Sequence, residues 1–154
     1  MKVLILENIR SAYNVGAIFR TADASGVDKI HLVGYTPTPV DRFGREQNEI
    51  KKTSLGASEY IEWEHGNNIE SVIEKLRTKG LEIWAIEINS GSFSLIDEET
   101  PDKVAYILGN EVEGVSGEAE ELADKVLHLP MKGKKESLNV SVTAGIVMYH
   151  DFYK

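Results

Sequence analysis

The segment KESLNVSVTAGIVMY, residues 135–149, decides how this chain is read. It is the most apolar stretch of the C-terminal region, yet it carries Ser137, Asn139, Ser141 and Thr143, and Lys132, Lys134 and Lys135 lie at its start. From Leu138 onward, helical spacing gives two apolar stripes: Leu138, Val142, Gly145, Ile146 and Tyr149 on one side, and Val140, Ala144 and Val147 on another. A helix apolar on two sides is expected to be buried on two sides. One stripe would pack on its own domain and the other on a partner subunit, with Ala144 and Val147 taken as partner-facing. By itself the segment also reads as a core helix whose Ser and Asn cap its start.

The 154 residues are expected to form one domain, 1–154, with no second domain needed. The chain has no cysteine, which excludes disulfides and thiolate metal sites and fits a reducing compartment. Met1 leads into KVLILEN, which is too short for a membrane span and lacks a signal-peptide cleavage pattern, so a cytoplasmic location is expected. Seventeen Lys and Arg against 25 Asp and Glu give a net charge of −8, which argues against non-specific adhesion to a phosphate backbone. The acids concentrate in 97–102 and 111–124. Two basic clusters survive, Arg42, Arg45, Lys51 and Lys52, and then Lys132, Lys134 and Lys135. Each also reads as a solvated loop.

Strand-like and helix-like runs alternate along the chain, the signature of an α/β domain with a mainly parallel sheet and helices on both faces. Six strands are expected, near 2–6, 29–33, 59–63, 81–86, 103–108 and 125–129. The first helix has Asn14 as its cap, Val15, Ile18, Phe19 and Ala22 as its apolar face and Gly26 as its stop. A second places Ile69, Val72, Ile73 and Leu76 inward and stops at Gly80, and a short acidic third starts at Ser116. In such sheets the ligand site lies beyond the carboxyl ends of the strands. The loops ENIRSAYNVG, EINSGSF, GNEVEG and PMKGKKESLN hold nearly all the suggestive polar residues.

Within NIRSAYNVGAIFRTADASG, Asn8, Asn14 and Arg20 bracket the first helix, and Arg20 is expected on the same side as Asn14. A lone helical Arg is ordinarily a surface residue, but the small Thr21, Ala22 and Ala24 beside it suit a crowded site or an interface. In ILGNEVEG, Gly109 lets a ligand approach the backbone and Glu111 can accept hydrogen bonds from a hydroxyl or amine. GNExxG lacks the spacing of a dinucleotide fingerprint and the Lys of a triphosphate loop. The four histidines show no metal-ligand spacing, no His-rich or HExxH pattern exists, and no GxSxG elbow occurs.

Taken together, N(x5)NxGxxxRTAxxxG, LGNExxG and LPMxGxxxSLNVSxxxG resemble, in order and spacing from residue 3 to about 150, the SpoU-like (TrmH-type) branch of the SPOUT RNA methyltransferases. The resemblance implies a C-terminal trefoil knot, a homodimer through the first and last helices, and bent S-adenosylmethionine in the knot. It places Gly109, Leu129 and Leu138 against that cofactor, with Ile86 and Glu87 as further contacts. It also implies methyl transfer to a ribose 2′-hydroxyl of tRNA or rRNA, with no metal. Asn14, Arg20, Glu111, Ser137 and Asn139 would form the catalytic centre, and Arg42, Arg45, Lys51, Lys52 and Lys132 the RNA contacts.

A guanidinium is effectively always protonated, so Arg20 is assigned to a phosphate and to the developing alkoxide rather than to proton removal. Three rival readings are a non-catalytic RNA-binding or assembly protein keeping the same fold, a methyltransferase of that fold acting on a base or on protein, and an unrelated nucleotide-binding α/β domain, for which the phosphate loop is lacking.

Overall fold

Strand β1 (Lys2–Glu7) is an almost wholly apolar run, and its residues from Val3 to Glu7 are all buried. Continuous burial of this kind requires cover on both faces of a sheet. The computed structural model, which describes residues 1–153, supplies that cover. After β1 come α1 (Ala12–Ser25), β2 (Lys29–Val33), α2 (Asn48–Ser54), β3 (Glu62–Gly66), α3 (Ile69–Thr78) and β4 (Glu82–Ile86). Then follow β5 (Phe93–Ser94), β6 (Val104–Leu108), α4 (Gly117–Leu122), β7 (Lys125–His128) and α5 (Val140–Tyr149). The strands lie in the order β3-β2-β1-β6-β4-β7-β5, every pair parallel.

Side-chain alternation divides the core into two layers. Leu4 and Leu6 of β1 point toward α1, α2 and α5, joining Ile18, Phe19, Ile50 and Val147. Val3 and Ile5 point the other way, onto Val72, Ile73 and Leu76 of α3 and Ala119 of α4.

The sheet has seven strands where the sequence suggests six. The extra one, β5, is two residues long, too short to show alternation, and pairs Phe93 and Ser94 with Leu127 and His128 at the sheet edge. The third strand begins at Glu62 rather than near 59, because the Ala57 carbonyl accepts from the N–H groups of Tyr60 and Ile61 and winds that stretch into a helical turn. Helix α2 was not expected. Only Ile50 and Ser54 of it are buried, which leaves no apolar period to read. It packs so closely on α1 that a Cβ at Gly16 would overlap Thr53 and the Ile50 carbonyl.

Ser11, not Asn14, caps α1, its side chain accepting from the Asn14 N–H at 3.1 Å, while Gly26 ends the helix at φ 70°. Asn68 and Ser116 cap α3 and α4. In α5 the two stripes exchange roles. Val140, Ala144 and Val147 lie in the core, whereas Leu138, Val142 and Ile146 are 41%, 49% and 44% exposed. The exposed stripe is therefore the one that the sequence reading gives to the chain's own core.

Candidate active site

Three neighbouring strands, β1, β6 and β4, end side by side, and each delivers a polar side chain to the loop 110–116. Glu7, closing β1, accepts from the Ser116 N–H (3.1 Å) and hydroxyl (2.7 Å). Glu87, just past β4, accepts from the N–H groups of Ile88 and Val115, both at 2.9 Å, and its carboxylate occupies the space a side chain at Gly114 would need. Asn110, past β6, accepts from the N–H groups of Val112 and Glu113 at 2.8 Å. Its amide donates to the Asn8 carbonyl and to the Tyr35 hydroxyl, both at 2.9 Å. Gly109 is required here because a Cβ would strike the backbone of Gly114 and Val115.

Glu111 turns from this loop toward α1. Its carboxylate accepts from the backbone N–H groups of Arg10 (3.0 Å) and Ser11 (3.1 Å) and from the Asn14 side chain (3.2 Å). Burial pushes the Glu111 carboxyl up, but these hydrogen bonds outweigh it and hold the group below the usual carboxylate range. Asn139 caps α5, accepting from the Ser141 N–H at 2.9 Å and hydroxyl at 2.8 Å.

Beyond the ends of β4, β6 and β7 these loops enclose a cavity. Ile86, Glu87, Gly109, Glu111, Leu129, Ser137 and Leu138 all line it, so every residue assigned to the cofactor and two of those assigned to catalysis border one space. Leu108, Val140 and Thr143 complete its apolar side. Glu87, Glu111, Glu113, Glu136 and His128 also line it, and among the described residues no Lys or Arg does.

Asn14 reaches the cavity only through Glu111, and Asn139 sits at the entry to α5. Arg20 is elsewhere. It is exposed in a groove with Tyr13, Ala17, Lys52, Leu55 and Tyr149. The expectation that it shares a side with Asn14 fails on helix geometry, because six residues at 3.6 per turn leave it about 120° away.

The first basic cluster is divided. Arg42 and Arg45 stand on a hairpin, Lys51 pairs with Glu46 at 3.0 Å, and Lys52 lies beside Arg20. Lys132 is exposed in the loop between β7 and α5. Among the described residues no three His, Asp or Glu side chains converge as a metal site, and no helix is long and apolar enough to cross a membrane. The reading of the sequence passed over Tyr35, which lies after β2, a loop given no weight, and Arg10, whose part is played by its backbone.

A wholly parallel sheet with a cavity at its carboxyl edge defines an α/β domain of the kind that takes a ligand beyond its strand ends. The sequence profile of the SpoU rRNA Methylase family matches residues 1–149, and the chain belongs to that family. The chain is 34% identical over 147 residues to a 23S rRNA (guanosine-2'-O-)-methyltransferase of Neisseria meningitidis, covering 95% of this chain and 56% of that one. An AdoMet-bound rRNA methyltransferase from Sinorhizobium meliloti superposes with a TM-score of 0.88 at 27% identity, over 99% of this chain and 56% of the other. A structure reported for the 2-OH methylation of C/U34 on tRNA superposes at 0.82 with 25% identity, over 99% of this chain and 94% of its own. The chain spans little more than half the length of the curated relatives it matches.

Proposed function

We propose that this chain transfers a methyl group from S-adenosylmethionine to a ribose 2′-hydroxyl of tRNA or rRNA in the cytoplasm. The observation that carries this reading is the cavity itself, apolar on one side and bordered, among the described residues, by four glutamates and no Lys or Arg. Such a lining suits a cofactor bearing a sulfonium and an ammonium group, and it repels polyphosphates. Ile86, Leu129 and Leu138 would hold its apolar parts, Gly109 would let it meet backbone, and Glu87 fixes the loop that closes over it. When bound, the cofactor supplies an electrophilic methyl group with a good leaving group already attached.

The chain's own residues must then position the hydroxyl and stabilise the charge developing on its oxygen. Glu111 holds the loop after β6 to the start of α1, and Ser137 faces the cavity from the opposite loop. Arg20 is too far round α1 to join them within one chain. Its groove and the exposed α5 face share Tyr149, so we place a homodimer across that face, with each Arg20 completing the other subunit's site. There the guanidinium would clamp the phosphate next to the target ribose, and the proton would leave to phosphate or water. The same reading includes the trefoil knot, formed by passage of the 129–149 segment through a preceding loop.

Incubation with methyl-labelled cofactor and bulk tRNA or rRNA, followed by nuclease digestion, tests the proposal. Label in 2′-O-methyl nucleosides is expected. Label confined to bases would move the reading to base methylation, and failure to bind cofactor at millimolar concentration would leave a non-catalytic protein.

A further inference from the structure

We infer that the hairpin Asp41–Arg45, together with Tyr35, forms a docking track for unpaired RNA nucleotides leading to the active site. This deepens the proposed function and rests on its assignment of RNA as substrate.

The hairpin is built to hold one aromatic ring outward. Asp41 accepts from the Phe43 N–H at 2.8 Å, from the Arg45 N–H at 3.0 Å and from Arg45 Nε at 2.8 Å. Backbone bonds join Asp41 to Arg45 (2.9 Å) and Gly44 to Asp41 (3.0 Å), and Gly44 adopts φ 77° to close the turn. The turn therefore presents Phe43, 67% exposed, with little conformational freedom left to lose on binding. The guanidiniums of Arg42 and Arg45 lie 4.8 and 5.1 Å from its ring centroid.

These contacts are of the kind that exposed cations exchange readily for phosphate. Arg42 has no carboxylate partner among the described residues, so its charge is available to an anion. Arg45 and Lys51 are paired with Asp41 and Glu46 and Lys52 lies in another groove, so Arg42 is the cation that this hairpin offers to an anion.

One groove is lined by Arg42 and Arg45 of this hairpin with Asp41 and Glu46 beside them, by Trp63 and His65, and by Tyr35. Tyr35 is fixed at both ends, its N–H donating to Asn8 Oδ1 (3.2 Å) and its hydroxyl accepting from Asn110. Asn8 takes φ 53° to make this bond, and its side chain fills the space beside Gly34. Asn110 directly precedes Glu111, so the pinned ring, 57% exposed, stands at the edge of the active site. Phe43, exposed against the two guanidiniums that line this groove, and Tyr35, pinned at its hydroxyl in the same lining, supply the elements of a stacking platform for single strands. A base within a duplex has no free face to offer such rings, so the track selects loops, bulges or ends.

The test measures the affinity of the unaltered protein, Phe43→Ala and Phe43→Trp for two fluorescein-labelled RNAs by anisotropy. One RNA is a hairpin with an unpaired loop, and the other is a blunt duplex of the same stem. Phe43→Ala is expected to weaken hairpin binding about tenfold. Duplex binding should stay within about threefold, and Phe43→Trp should restore the hairpin. Calorimetry with S-adenosylmethionine checks that each variant keeps its cofactor site. Equal hairpin affinity for Phe43→Ala and the unaltered protein overturns the track while leaving RNA as substrate intact. Equal loss on hairpin and duplex overturns the preference for unpaired nucleotides. If the unaltered protein binds neither RNA, the substrate assignment falls and the track falls with it.

Discussion

At Glu111, three donors from the start of α1 converge on one carboxylate, and that convergence has a pH signature. The group's pKa is lowered in the folded chain, so it binds its proton more weakly there than in the unfolded chain. Its contribution to stability is complete above the unfolded carboxylate value and is lost as pH falls through the lower, folded one. Replacing Glu111 with Gln should cost about 1 kcal/mol at neutral pH, after allowance for exposure. The gap in urea midpoint between the two proteins should close as pH is taken from about 5 down to 3. A gap independent of pH would mean that Glu111 acts through shape alone. Arg20 makes the opposite kind of contribution, since it has no role in the cavity of its own chain. Arg20→Ala is expected to lower methyl transfer at least about a hundredfold, or roughly 3 kcal/mol in the transition state, with cofactor affinity unchanged within a few fold. Asn139→Ala should impair both, because it uncaps α5 at a cost of about 1 kcal/mol and loosens the adjacent Leu138. Labelled-methyl transfer and calorimetric titration, run on the same preparations, separate the two cases.

At the scale of the element, α5 tests how far a helical pattern can be read. Its two apolar stripes are plain in the sequence, but which one meets the sheet depends on the entry angle set by Asn139 and on contact with α1. Val142→Glu and Ile146→Glu alter exposed positions, so each should yield a monomer by sedimentation that still unfolds in one cooperative transition. Val147→Glu places an unpaired charge in the core and should cost several kcal/mol, so unfolding rather than dissociation is expected. Persistence of a dimer in both exposed-face variants would move the interface elsewhere. The same contrast explains what was legible. Strands β1, β2, β4, β6 and β7 and helices α1 and α3 carry enough apolar residues in register to declare themselves. Helix α2 buries too little, and β5 exists only because Leu127 and His128 offer it an edge. Parallel strands gather their following loops at one edge, which made the site's location readable, while Ile86, Gly109, Leu129 and Leu138 as its lining came from the family resemblance. The position of Arg20 was not, since it depends on rotation around α1 that a spacing rounded to two turns conceals. Tyr35 escaped notice because its importance rests on a hydroxyl held by Asn110, a contact between residues far apart in sequence.

For the whole molecule, the proposed function makes a homodimer part of the chemistry, because the cavity and Arg20 lie apart in one chain. A single chain holds the complete cavity, so cofactor binding should survive in the Ile146→Glu monomer, whereas methyl transfer should not. Subunit mixing distinguishes the arrangement more sharply. Gly109→Ala forces the 110–116 loop away from its cavity position, because the added Cβ meets the backbone of Gly114 and Val115, and it leaves Arg20 and the α5 face untouched. Arg20→Ala leaves the cavity intact. Each homodimer should be inactive. If Arg20 serves the other subunit, a mixed dimer contains one site with an intact cavity from the Arg20→Ala chain and an intact Arg20 from the Gly109→Ala chain. Random exchange of equal amounts puts about half the chains in mixed dimers with one working site of two, so activity should return to about a quarter of the unaltered level. The measurement is labelled-methyl transfer after co-refolding, with sedimentation confirming dimers and calorimetry confirming that only the Arg20→Ala subunit binds cofactor. Were Arg20 to act within its own chain, neither subunit of the mixed dimer would be complete, and activity would stay at background.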